Sequence, residues 1–175
     1  MRALSARDIR RLLELLSAQL GKLGVDGEVF LVGGAVMCLA YNARPSTRDI
    51  DAFFKPAKEV REAAAKVAIE ARVPSDWLND AVKGFMSERG EFANFLELKH
   101  LRVMVAQPEY LLAMKCLSLR IGAEFHDEDD VRFLLRYLNI ESHERAVEII
   151  TRFYPRERFP QKTLYALEEL LPNQS

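Results

Sequence analysis

The 175-residue chain carries almost no excess charge, with 25 Lys and Arg against 26 Asp and Glu and a net of −1. That balance leaves no global electrostatic footprint for nucleic acid, so any contact with a polyanion has to come from a local patch. Cysteine is scarce: Cys38 and Cys116 are the only two. Both fall in apolar helical surroundings without metal-ligand spacing, which reads as core thiols in a reducing compartment rather than a disulfide framework. The three histidines, His100, His126 and His143, are scattered without metal spacing, and no Ser-His-Asp or Cys-His set can be argued. No apolar run approaches the length that crosses a bilayer. The opening MRALSARDIRRLLELL lacks the apolar core and cleavage site of a signal peptide, so the expected location is cytoplasmic, with no membrane partner. Internal repeats, heptads and low-complexity tracts are missing as well.

What the chain does have is apolar residues, 49% of the total, enough for a sizeable core. Ser5 with Asp8 three residues on is an N-cap signal. Ile9, Leu12, Leu13, Leu16, Leu20 and Leu23 then recur at helical spacing up to Gly24. Residues 28–32 read as a short buried strand, 35–41 as a helix, 48–54 as a strand stopped by Lys55-Pro56, and 57–72 as a helix of strong propensity. SDWLNDAVKGFM has no clean period and is expected to form one helical turn followed by loop. Residues 92–97 and 101–105 read as two strands tightly joined at Lys99-His100. Helices are expected over about 109–121, with Pro108 at the start, and over 127–138. A break is expected at 123–125, and further helices from a Ser142 cap to Arg152 and over about 162–170. The fold class implied is α/β (α+β): a small mixed sheet flanked by helices, with a core over 1–107 and a helical C-terminal part over 108–175 packed on it, or a single domain overall.

The chemistry concentrates in residues 29–54, VFLVGGAVMCLAYNARPSTRDIDAFF. Gly33 and Gly34 stand where an apolar strand meets a helical pattern, and such a turn offers unblocked N–H groups to an anion. The plainer reading is a turn packed closely for steric reasons. Asp49 and Asp51 are two apart, so in an extended chain both carboxylates point to one face. Hard divalent cations such as Mg²⁺ take one or two carboxylates and complete their shell with phosphates and waters. The plainer reading is a pair of surface acids neutralised by Arg44 or Arg48. Thr47 and Arg48 immediately precede the pair, and the glycines and aspartates fall at the ends of consecutive strands. The combination points to a metal and phosphate site.

Downstream candidates are less sharply marked. Glu97 falls on a strand, Asp80 in the WLND segment and Asp130 on a helix. Lys115 is the only charged residue from Leu111 to Leu119, and such a lysine snorkels, pairs with an acid such as Asp130, or meets a phosphate. Asp127, Glu128 and Asp129 suit a helix start through the dipole alone. TRFYPRERFPQK interleaves Arg152, Arg156, Arg158 and Lys162 with Phe153, Tyr154 and Phe159. That pattern fits RNA by phosphate contact and stacking, or a linker that turns its aromatics inward.

Strand, Gly-Gly, helix, then R-x-x-T-R-D-I-D on the next strand resembles the minimal nucleotidyltransferase superfamily, of polymerase-beta-like fold. More narrowly, it resembles the toxin-type nucleotidyltransferases of the AbiEii group and related bacterial families. WLNDAVKGF, LLAMKCLSLR and DEDD extend the likeness over about residues 29–138. The resemblance implies that Asp49 and Asp51 hold Mg²⁺ and that Gly33 and Gly34 contact nucleotide phosphates, with Thr47, Arg48, Lys115 and Arg120 adding to nucleotide binding. It implies transfer from an NTP to an RNA (tRNA) or protein hydroxyl, a third carboxylate as general base for which Glu97, Asp80 and Asp130 are the catalytic candidates, and an antitoxin protein as partner. A non-catalytic module of the same fold, acting through a protein partner, is the alternative. The chain departs from the family in lacking a turn serine or threonine after Gly34. Ser118 stands where a small alanine is expected, and Arg120 comes one residue early.

Overall fold

The computed structural model describes residues 2–120 and 126–172. Their elements run β1 (Leu4–Ser5), α1 (Ala6–Lys22), β2 (Gly27–Val32), α2 (Gly33–Leu39), β3 (Ser46–Thr47), β4 (Ile50–Lys55), α3 (Ala57–Ala71), β5 (Leu78–Asn79), β6 (Phe92–Glu97), β7 (Leu101–Ala106), α4 (Pro108–Leu117), α5 (Asp127–Tyr137), α6 (His143–Ile150) and α7 (Gln161–Leu170). Short 3-10 turns occupy Ala81–Phe85 and Arg156–Arg158. The protein is thus the mixed α/β fold that its patterning implied. The chain divides into two compact units, one of residues 1–85 and 92–106, the other of residues 86–91 and 107–175.

The first unit is built on a five-stranded sheet of order β5-β4-β2-β7-β6. β2 runs antiparallel to β4 and parallel to β7, β5 runs parallel to β4, and β6 runs antiparallel to β7. Alternation along the strands separates two faces. Gly27, Val29 and Leu31 of β2 align with Leu101, Val103 and Val105 of β7, and Ala52 and Phe54 of β4 join them. These residues meet the helices: a Cβ on Gly27 would lie 2.9 Å from Leu20 of α1 and 3.3 Å from Val60 of α3. The α1 stripe Ile9, Leu12, Leu13, Leu16 and Leu20 is buried, each side chain contributing about 2 kcal/mol of transfer free energy. The Ser5–Asp8 capping box starts that helix, as its spacing implied. The other face carries Glu28, Phe30 and Val32 beside Lys55, Phe53 and Asp51.

Two local outcomes differ from the sequence reading. β4 begins at Ile50, not Arg48, because Arg48 and Asp49 form a bend between two pairings. Ser46 and Thr47 pair backwards with β1, Leu4 facing Thr47 and Ser5 facing Ser46. The WLND segment forms a strand edge before its helical turn: Leu78 pairs with Ile50 and Asn79 with Asp51. The only tryptophan fixes that edge, since buried Trp77 donates Nε1–H to the Ala64 carbonyl of α3 and its own carbonyl accepts from Ile50.

The second unit gathers α4 to α7 around Tyr110, Leu111, Leu134, Leu135, Ile150 and Leu167. Residues 86–91 belong to it because Ser87 donates from its backbone to the Tyr110 hydroxyl and from Oγ to the Phe153 carbonyl. Helix α4 closes at Leu117. It stops short of the expected Ile121, since Ser118 caps it and residues 118–120 are not helical; the break expected at 123–125 lies outside the described residues. Cys38 and Cys116 are both buried thiols outside any disulfide, and burial pushes Cys116 up to about 12. No described helix is long and apolar enough to cross a membrane.

Candidate functional site

β2 and β4 together set the geometry of the glycine turn. Their register places Val32 opposite Asp51, so the residue after the strand end, Gly33, lies against that carboxylate. Gly33 has φ of +67°, and a Cβ there would stand 3.0 Å from Asp51 Oδ2. Glycine is needed twice over, once for the backbone and once for the approach. Gly34 is needed for space alone. A Cβ would stand 2.6 Å from Arg44 Nη1 and 2.7 Å from Thr47 Oγ1. The turn is therefore ringed by a carboxylate, a guanidinium and a hydroxyl. Both glycines belong to the first turn of α2, and its N-cap, Val32, supplies no side-chain oxygen to the helix-start N–H groups. Those donors are the ones an anion can use.

Asp49 is half-buried in the bend that leads into β4, and its carbonyl accepts from Thr47 Oγ1 at 3.3 Å. Thr47 is buried while Arg48 is exposed. Of the two residues expected to precede the aspartates at a phosphate, Thr47 adjoins the turn and Arg48 faces solvent.

Two residues that the sequence reading left out of the site belong to this neighbourhood. Arg44 entered only as a counter-ion for the aspartates, yet its guanidinium covers Gly34. Asn79 is the register partner of Asp51, with Oδ1 accepting from the Ala81 N–H at 2.8 Å. Its strand is only two residues long, too short to show alternation. The signal that could have found it is the buried-tryptophan anchor immediately before it.

The candidates for a further carboxylate are each engaged with cations. Asp80 pairs with Arg61 and Lys83, and the Arg61 hydrogen bond, opposed by slight burial, holds its carboxyl below the usual range. Glu97 is in register with Arg102, which is in register with Glu28, at the end of the sheet remote from Val32 and Asp51. Three strand spacings and four residues of rise separate Glu97 from Asp51, roughly 20 Å. Its carboxylate instead meets Arg102 at 3.3 Å.

In the second unit, Lys115 Nζ lies 2.7 Å from Asp130 Oδ2 and 3.6 Å from Asp127 Oδ1, all three side chains being at least 90% buried. Arg120 donates its backbone N–H and Nε–H to Asp127 Oδ2 at 3.0 and 2.8 Å. Burial alone would raise the Asp127 carboxyl, but Arg120 and Lys115 outweigh it and hold it below the usual range. The dipole reading of Asp127 is thereby corrected: it is buried and ion-paired, and its spacing of three from Asp130 on one helix carried that information. The aromatics of TRFYPRERFPQK turn inward, Phe153, Tyr154 and Phe159 all being buried. That removes the bases' stacking platform. His100 meets Asp26, and His143 meets the Leu164 carbonyl.

Among the described residues, no group of three or more His, Cys, Asp or Glu side chains is arranged to hold a metal. Mg²⁺ takes as few as one or two carboxylates and keeps waters and substrate phosphates in its shell rather than a full protein cage, so Asp51 beside the turn, with Asp49 two residues before it, fits such an ion. The chain matches no family model, no curated protein and no solved structure.

Proposed function

We propose that the chain is a nucleotidyltransferase that moves a nucleotidyl group from an NTP to a hydroxyl of RNA or protein, with Mg²⁺ as cofactor. The observation that carries this reading is the Val32–Asp51 register, which sets a carboxylate against the positive-φ Gly33 at a strand end. The resemblance of this stretch to minimal nucleotidyltransferases supports it. In the proposed reaction the acceptor oxygen bonds to the α-phosphorus, the bond to the pyrophosphate oxygen breaks, and the hydroxyl proton passes to solvent. Asp49 and Asp51 would hold the ion, which when bound supplies charge neutralisation of the phosphate oxygens. The first-turn N–H groups at Gly33 and Gly34 orient the phosphate chain, and Arg44 and Thr47 beside Gly34 extend that cradle. An antitoxin protein is the partner that the toxin-type resemblance adds.

The test is incubation with labelled NTPs, Mg²⁺ and total RNA or lysate. Asp49→Ala with Asp51→Ala is expected to cut incorporation at least about 100-fold, the scale on which positioned charge acts. Incorporation that survives the double substitution would sink the assignment. A second reading, a nucleotide-binding module that acts through a protein partner without turnover, draws on the lack of a third carboxylate beside the pair among the described residues. Binding of Mg-NTP with no incorporation would select it.

A further inference from the structure

In the first unit, a cleft of about 410 Å³ opens between the start of α1 and the end of α3, lined by Arg2, Leu4, Asp8, Arg11, Leu12 and residues 71–74. Arg2, Arg11 and Arg72 give it three positive charges, and Asp8 is its single acid. That acid is already engaged. Asp8 Oδ2 accepts from Ser5 N–H and Oγ–H in the capping box. Those bonds hold its carboxyl low, helped by the charges of Arg2 and Arg11. The net local charge is thus +2 on a chain whose total is −1. The lining is partly apolar: Leu4 and Leu12 are buried, and Val73 and Pro74 are half-buried. Arg72 is held there by its backbone, a left-handed C-cap with φ of 56°. The cleft also adjoins the glycine turn. Leu4 is in register with Thr47, whose hydroxyl is the group that crowds Gly34.

We infer that this cleft is a phosphate-binding site for a nucleotide unit, its arginines taking the phosphate and Leu4, Leu12, Val73 and Pro74 taking the base or sugar. Guanidinium groups match phosphate oxygens bidentately, and an apolar lining strengthens the attraction. The volume suits one nucleotide. Two sources share that chemistry, a residue of an RNA acceptor strand and a free NTP. The assignment deepens the transferase reading by naming a nucleic acid or nucleotide at a second position beside the turn, and it rests on that reading only for the reaction it would serve.

The test measures binding, not turnover, so the two can fail separately. Retention of labelled oligouridine is titrated with salt, and ATP binding is measured by calorimetry in EDTA. Both use the full chain, wild type against Arg11→Gln with Arg72→Asn, asparagine being chosen because it tolerates the left-handed cap. Circular dichroism checks the fold, and Arg11→Lys with Arg72→Lys restores the charge. For an RNA strand, the neutral pair should weaken oligouridine about tenfold and shrink the logarithmic salt slope by about 1.4, with the lysine pair recovering most of the slope. A loss confined to ATP, recovered by the lysines, supports the site and names the free nucleotide as its source. Unchanged binding of both probes overturns the site even if Asp51-dependent incorporation is found. Equal losses in the neutral and lysine pairs overturn it as a packing effect. RNA loss in a protein with no incorporation at all leaves the cleft standing and removes the transferase.

Discussion

Two aspartate pairs, one in each unit, use the same side chain under opposite conditions. Asp127 and Asp130 lie three apart on α5, buried, with the Lys115 ammonium 2.7 Å from one and 3.6 Å from the other, and with Arg120 closing the outer side. Asp49 and Asp51 lie two apart at the head of β4, both half-buried, and Asp51 faces backbone stripped of side chains at Gly33. A carboxylate sealed into a core with its own cation spends its charge on architecture. A half-buried carboxylate set against a glycine that no other residue can replace without strain stays in reach of solvent. The difference teaches that depth of burial, rather than the mere presence of paired acids, separates scaffold from site.

The sharpest way to break this comparison is Lys115→Met. It takes from two buried carboxylates the ammonium they share, and removing one partner of a buried pair costs about 3–5 kcal/mol. Urea unfolding should show that loss, and Lys115→Met combined with Asp130→Leu should recover a good part of it. The resemblance places Lys115 at nucleotide instead. A Lys115→Met protein as stable as wild type but unable to incorporate nucleotide would move this lysine from scaffold to substrate.

The next effect depends on pH. Asp127 is held below its ordinary 3.8 in the folded protein, so below that value the unfolded chain binds the extra proton. Stability from this group is fully present above about pH 4 and is lost as pH falls through the folded value. Asp127→Asn should flatten the acid limb of a plot of urea midpoint against pH. At neutral pH it should cost about 1.5–3 kcal/mol, the scale of hydrogen bonds to charged groups. An acid limb as steep as that of wild type would show that Asp127 is protonated alike in both states and that the Arg120 contact is idle.

Much of the fold was legible because burial writes itself as period. The α1 stripe, the β2 apolar run and the Ser5 and Ser142 caps all follow from residue spacing that local physics enforces. The fold parts that were not legible depend on partners distant in sequence. Leu78–Asn79 is a strand only because β4 lies beside it. Ser46–Thr47 turns back to β1, which shifts the start of β4 by two residues. At the site, the Gly-Gly turn and the aspartates could be read from their spacing. Arg44 could not be placed over Gly34, since nothing in ARPST fixes where a long side chain folds back. Glu97 looked eligible from chain order, and only the register shows it bonded to Arg102 at the far end of the sheet.

The smallest stability effect is expected at the turn itself, where it should be coupled to function. Gly33→Ala forces a Cβ onto a φ of +67°, at about 1–2 kcal/mol, and brings that Cβ to 3.0 Å from Asp51 Oδ2. The carboxylate has to move a few tenths of an ångström, which in a positioned site lowers incorporation by more than the lost stability accounts for. Gly34→Ala separates the two causes. Its backbone is not left-handed, so the strain is absent, and the new methyl meets Arg44 Nη1 and Thr47 Oγ1 instead. The end of the long Arg44 side chain can shift, whereas the short Thr47 side chain cannot. Gly34→Ala should therefore lose stability through the Thr47 contact rather than through backbone strain, and lose activity through the cradle. If Gly33→Ala matched wild type in both urea midpoint and incorporation, the close approach of Asp51 to the turn would carry no function, and the contrast between the two aspartate pairs would fall with it.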